Sequence, residues 1–245
     1  MQILLSCAKT MGHTPAAVPE VTVPHFQTDA EQTARQLLQL TAADLREALH
    51  VNTPIAAENA RRYAEFFAHT TPEVPALLAY TGIVFKHLRP EHLTITDMAY
   101  AQQHLFITSY LYGLLRPLDA IRPYRLEGNV RLPADDDRSR FEHWKPLLTD
   151  YLIRAVKADD GVLVNLASAE MKRLFDWRRI AGELNVITPE FKTIKEGRER
   201  SIVIYTKMSR GQMARFILKN RLVHPSELTA FEPAIAEAPI VMYLH

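Results

Sequence analysis

Two short stretches put chemically useful side chains at the ends of apolar runs. Gln2–Leu5 suits a buried strand, and Ser6-Cys7-Ala8-Lys9-Thr10 follows it directly. Residues 161–166 form the clearest strand pattern in the chain, and Ala167-Ser168-Ala169-Glu170 opens a helix after it. Ligands in α/β sheets bind outside the carboxyl ends of strands, so Ser6, Lys9, Asn165, Ser168 and Glu170 are candidates to meet at one site. Glu170 could serve as a general base there, with Lys9 or Arg210 stabilising negative charge. Each residue also has a plainer reading. Lys9 can be a surface lysine and Ser168 a helix cap. A carboxylate in a first helical turn is favoured by the helix dipole, which lowers its pKa, whereas a base working near neutrality needs burial that raises it.

A second set of residues is suited to holding phosphates. The pattern of apolar residues predicts a helix over 208–222, with Lys207 and Arg210 at its start and Arg215 further along. Cations at a helix N-terminus oppose the dipole, and a bound anion would relieve them. The stretch 104–127 reads as helix, tight hairpin and short helix, with Arg116, Arg122 and Arg125 near the bend. Gly113 stands where a left-handed cap would end the first helix, and Asp119 where a second helical turn would begin. Leu105–Thr108 is also a fair strand, and the arginines could equally pair with Asp119 and Glu127. Residues 171–221 carry 13 Lys and Arg against 5 Asp and Glu, while residues 1–170 carry 16 against 20. That asymmetry is the footprint of a polyanion binder, although a solvated basic face would look the same.

The elements around these residues can be read in outline. Amphipathic or capped helices are expected over 28–40, 44–50, 52–67, 97–103 and 141–157, with short strands at 76–80, 186–187 and 240–244 and a hairpin over 191–205. Residues 11–25 hold three prolines and no periodicity, which suggests a loop acting as a lid or mobile flap. A length of 245 residues fits one large domain or two small ones. The single Cys7 cannot form an internal disulfide, the N-terminus lacks the pattern of a signal peptide, and no run is long enough to span a membrane. A cytoplasmic protein is the expectation. There is no phosphate-binding loop, dinucleotide fingerprint or zinc spacing, so no cofactor or metal is expected; His87 and His92 come nearest to a ligand pair.

The most distinctive pieces together resemble the YaaA family, bacterial proteins of the peroxide stress response. They are Ser6–Thr10, Ala101–Leu105, Leu111–Asp119 continuing through Pro123–Leu126, Asn165–Ser168 with Glu170, Arg210-Gly211, Arg215–Ile217 and Asn220–Leu222. The resemblance covers nearly the whole chain. It implies a mixed α/β fold, a helix-hairpin-helix element, here near 104–127, and a basic cleft that binds double-stranded DNA in cells exposed to hydrogen peroxide, where free iron is kept low. Two departures stand out. Cys7 replaces the family's usual Pro, and Ile83 and His87 occupy places where an Asp and a Gly are expected.

The combined expectation is a single compact α/β domain with a mixed sheet and surrounding helices. It would act as a monomer that binds duplex DNA without sequence choice through Lys9, Arg116, Arg122, Arg125, Lys172, Lys207, Arg210 and Arg215. Phe85 or Tyr112 could stack on an unpaired base. The alternative is an enzyme acting on a nucleotide, nucleobase or nucleic acid in a pocket at the ends of strands 2–5 and 161–165.

Overall fold

Four consecutive apolar or amide side chains, Gln2–Leu5, form β1, and all four are buried. A strand buried on both faces belongs in the middle of a sheet, and β1 is the central strand. In the computed structural model, which describes residues 1–195, 197–235 and 239–245, the chain continues through α1 (Gln27–Leu37), α2 (Ala42–Leu49), α3 (Thr53–Ala64), β2 (Val74–Pro75), α4 (Ala76–Ala79), α5 (Ile83–Leu88) and α6 (Ile95–His104). Then come β3 (Leu105–Ser109), β4 (Gly113–Leu115), β5 (Ala120–Ile121), α7 (Arg140–Lys157) and β6 (Val162–Leu166). The remainder is α8 (Ala169–Lys172), α9 (Trp177–Glu183), β7 (Asn185–Ile187), β8 (Pro189–Lys195), β9 (Arg198–Arg200), α10 (Val203–Asn220) and β10 (Ile240–Leu244).

The main sheet has the order β4-β3-β1-β6-β7. β3 and β6 both run parallel to β1, β7 runs parallel to β6, and only β4 is antiparallel to its neighbour. Helices α6, α7 and α10 pack against this sheet. A small antiparallel sheet, β10-β8-β9, lies beside α10, and a two-stranded piece joins β2 to β5. The chain is therefore one compact mixed α/β domain. The path out of β1 returns on one side as β3 and later on the other side as β6. The space outside the carboxyl ends of β1 and β6 is thus the switch point of the sheet, where ligands of open α/β folds bind.

Several local expectations change. Residues 104–127 do not make a helix-hairpin-helix. They make a β-hairpin, in which Ser109 pairs with Gly113 and the Ser109 hydroxyl accepts a hydrogen bond from the Tyr112 backbone N–H at 2.8 Å. Gly113 does have a positive φ, 70°, but it starts a strand and does not end a helix. The β choice wins because Leu105–Ser109 is fully buried beside β1, where ladder bonds outweigh helical spacing. Asp119 caps no helix; its carboxylate accepts from the Arg116 N–H at 2.8 Å and from Thr22 Oγ1 at 2.7 Å. Two helices joined by a tight connection occur instead at α2 and α3, linked by residues 50–52 with His50 left-handed and Asn52 capping.

Residues 76–79 are helical where a strand was expected, because Ala76 and Leu77 donate their N–H groups to Asp119 and Pro117 carbonyls and the chain turns there. The proline-rich 11–25 segment is tied down at both ends. Gly12 and Thr14 donate to Ala79 and Leu78, and Thr22 donates to Leu118. The hairpin at 191–205 is shorter than expected: its second strand ends at Arg200, and α10 already begins at Val203. No helix among the described residues is long and apolar enough to cross a membrane.

Candidate functional site

At the carboxyl end of β1 the chain leaves the sheet through Ser6, Cys7, Ala8, Lys9 and Thr10. Beside it, β6 ends in a turn built by Asn165, whose side-chain oxygen accepts from the Ala167 N–H at 3.1 Å while its amide donates to Thr188 Oγ1 at 3.3 Å. Ser168 then caps α8 by accepting from the Met171 N–H at 3.3 Å. The two strand ends are clasped together, since the Ser168 N–H donates to Ser6 Oγ at 2.9 Å. Asn165 and Ser168 thus shape the wall of the site through bonds already made within the protein.

This clasp borders a cavity of about 530 Å³. Lys9, Arg125, Glu170, Lys207 and Arg210 supply its charges, and Tyr110 and Tyr124 contribute phenolic side chains. A second hollow of about 560 Å³ adjoins it and includes Asn165, Lys172 and Thr188. Ser168, Val203, Lys207 and Arg210 border both, so one face of α10 forms the ridge between them. Residues 203, 207 and 210 share that face because they are spaced at four and three positions.

The cations fall into two classes. Lys9 Nζ meets Glu127 Oε2 at 2.7 Å, and Arg125 reaches the other oxygen of the same carboxylate at 3.1 Å. Lys172 lies 4.3 Å from the centre of the Trp177 ring, and burial followed by the nearby Arg210 charge lowers its pKa. Lys207 and Arg210 make no ion pair among the described residues. Arg210 Nε is buried without a hydrogen-bond acceptor, and burial alone lowers the guanidinium pKa. Neither lies at a helix N-terminus: α10 starts at Val203, so Lys207 is in its second turn and Arg210 in its third. Their poise for an anion comes from missing partners and not from the dipole.

Other expected contacts lie elsewhere. Arg116 donates to Gln2 Oε1 at 2.9 Å and to the Gln103 carbonyl at 3.2 Å and covers the Phe106 ring; it braces the opposite end of β1. Arg122 donates to the Phe66 carbonyl and meets Glu73 at 3.2 Å. Arg215 donates to the Leu88 and Arg89 carbonyls at 3.1 and 3.0 Å, closing the end of α5. All three arginines are absent from the cleft, with donors held by backbone carbonyls elsewhere in the fold. Phe85 and Tyr112 are 2% and 1% exposed, so neither can stack on a base. Glu170 is exposed at the cavity mouth, without the burial that a base working near neutrality requires. Tyr110 and Val203 belong to the neighbourhood and had no sequence signal beyond their residue type, whereas Glu127 pairs with Arg125 as one reading of the sequence allowed. Among the described residues no cluster of three or more His, Cys, Asp or Glu side chains could hold a metal.

The sequence model of a family described as "Peroxide stress protein YaaA" matches residues 1–235. The chain belongs to the YaaA family. Among its relatives is a "UPF0246 protein" of Bacteroides thetaiotaomicron, 53% identical over 232 residues that cover 94% of this chain and 90% of the relative. A "UPF0246 protein" of Phocaeicola vulgatus is 49% identical over 233 residues, covering 95% and 91%, and one of Porphyromonas gingivalis is 47% identical over 240 residues, covering 95% and 92%. Of the positions at which this YaaA-family sequence departs from the expected pattern, Cys7 and Ile83 line the 530 Å³ cavity. His87 instead borders a separate hollow with Arg215 and Phe216.

Proposed function

We propose that this chain is a cytoplasmic, monomeric peroxide-stress protein that binds duplex DNA without sequence choice along the cleft at the carboxyl ends of β1 and β6. The observation that carries the reading is the pair Lys207 and Arg210 on the ridge of α10, two cations with no carboxylate partner among the described residues, beside Lys172. Lys9 and Arg125 add charge that Glu127 offsets in part. Beyond the cleft, Lys195, Arg198 and Arg200 stand exposed on the β8–β9 hairpin and extend the basic surface. Contacts of this kind grip phosphates and leave base edges unread.

Fluorescence anisotropy with a labelled duplex tests this. Binding should weaken steeply with salt and be indifferent to sequence, and Lys207→Ala should lower the salt slope by about one phosphate contact. Absence of binding at ~50 mM salt would remove the proposal.

A further inference from the structure

The cavity beneath the ridge has features that a duplex does not use. Among its lining residues is Tyr110, 2% exposed, whose buried hydroxyl makes no hydrogen bond of normal length among the described residues, with the Glu170 carboxylate nearby. The ring itself is fixed from behind: the Tyr110 carbonyl accepts from Trp144 Nε1 at 2.8 Å, and Phe141 packs edge-on at 5.6 Å. Its phenol pKa is pushed up, first by burial, then by Cys7 and by the Glu170 carboxylate, so the hydroxyl keeps its proton and remains a donor. Tyr124, by contrast, spends its hydroxyl on Ser109 at 2.7 Å and Tyr80 at 2.8 Å and offers the cavity its ring.

A buried donor without a partner is costly, and a second lies in the same cavity as Arg210 Nε. The two are chemically different, one phenolic and one cationic. The same cavity has apolar lining from Ile83, Val84, Leu126 and Met171. The volume, about 530 Å³, falls in the range of cavities that enclose small ligands. Two cations without an ion-pair partner among the described residues, apolar wall residues and a neutral donor in one cavity suit a ligand with a doubly charged head, an apolar body and an acceptor.

We infer that this cavity is a binding site for a single small organic phosphate of nucleoside-monophosphate type, its phosphate on Lys207 and Arg210 and its ring reaching Tyr110. A phosphate fits better than a carboxylate because its two charges match the two free cations. The site shares Lys207 and Arg210 with the DNA cleft but does not depend on duplex binding. No bond is made or broken in this inference.

The test is calorimetric titration of the purified protein with the four common nucleoside 5′-monophosphates, each beside its nucleoside and inorganic phosphate. At least one nucleotide should bind at one equivalent per chain, more tightly than its nucleoside or phosphate alone. Arg210→Gln and Lys207→Ala should each weaken it about tenfold, and Lys207, being exposed, leaves the fold untouched. Tyr110→Phe should weaken the nucleotide about fivefold while leaving duplex affinity unchanged. If no nucleotide binds at concentrations on the order of 1 mM, or if Tyr110→Phe leaves nucleotide binding unaltered, the inference is overturned. Duplex titration of the same samples reports separately on the DNA proposal, so either can fail while the other stands.

Discussion

Cys7 is the residue a reader would suspect first in a family of peroxide stress proteins. Its surroundings make it a poor sensor. Desolvation pushes the thiol up to about 12, against only partial relief from Thr108, so almost none of it is thiolate near neutrality. Since the thiolate is the reactive form, native Cys7 should alkylate far more slowly with iodoacetamide than the urea-unfolded chain, by a factor on the order of a thousand. Equal rates would show an open, ionised thiol. Asp97 behaves in the opposite way. Burial raises its carboxyl, but the Lys219 ammonium at 2.7 Å and the Thr94 cap overcome this and hold it down at about 2. A depressed carboxylate adds stability that is present above its unfolded value, near 3.8, and is lost as pH falls through the folded value. Wild type should therefore melt above Asp97→Asn near neutrality, and the gap in melting temperature should close on acidification to about pH 2. A gap that persists at that pH would mean the carboxylate charge contributes nothing.

Two glycines set how elements meet. A Cβ at Gly211 would lie 2.1 Å from the Val84 carbonyl oxygen, so α10 and α5 approach as closely as they do only because that position is bare. At Gly113 the obstacle is double: φ is +70°, and a Cβ would fall 2.8 Å from the Trp144 ring. Both Gly211→Ala and Gly113→Ala should lower unfolding free energy in urea by about 1–3 kcal/mol or more. Gly211→Ala moves the helix that bears Arg210, so it should also weaken anion binding. Gly113→Ala acts on the β3–β4 hairpin and on Trp144, and so on the support of Tyr110. An unchanged urea midpoint for Gly211→Ala would show that α5 can shift without cost.

Across the whole molecule, charge is sorted by use. Several arginines of the acidic first part are spent on carbonyls or carboxylates within the fold: Arg116 on Gln103, Arg122 on Phe66, and Arg140 on Asp135 at 3.1 Å. On β8, β9 and α10, Lys195, Arg198, Arg200 and Lys207 are exposed. Reversing charge on the hairpin with Lys195→Glu and Arg198→Glu should weaken duplex binding and flatten its salt dependence by about one contact per residue, while Arg116→Gln should cost stability and leave that slope alone. A slope that follows Arg116 and ignores the hairpin would place the DNA surface elsewhere.

What the sequence alone determined is local or carried by strong patterns. β1, β6 and the polar elbows after them were legible because buried central strands read as unbroken apolar runs, and ligand sites follow the ends of such strands. Family membership was legible from long motifs. Tertiary structure decided the rest. Leu105–Ser109 has helical and strand readings of nearly equal merit, and pairing with Ile3–Leu5 settles it. Whether an arginine serves a ligand or the fold depends on which carbonyls lie within reach of its guanidinium, as the Gln103 and Leu105 carbonyls do for Arg116 and the Leu88 carbonyl for Arg215. The site's most telling feature, the buried Arg210 Nε without an acceptor, is a property of what fails to surround a residue. Spacing along a chain carries no trace of it, because burial and hydrogen-bond satisfaction are set by neighbours far away in sequence.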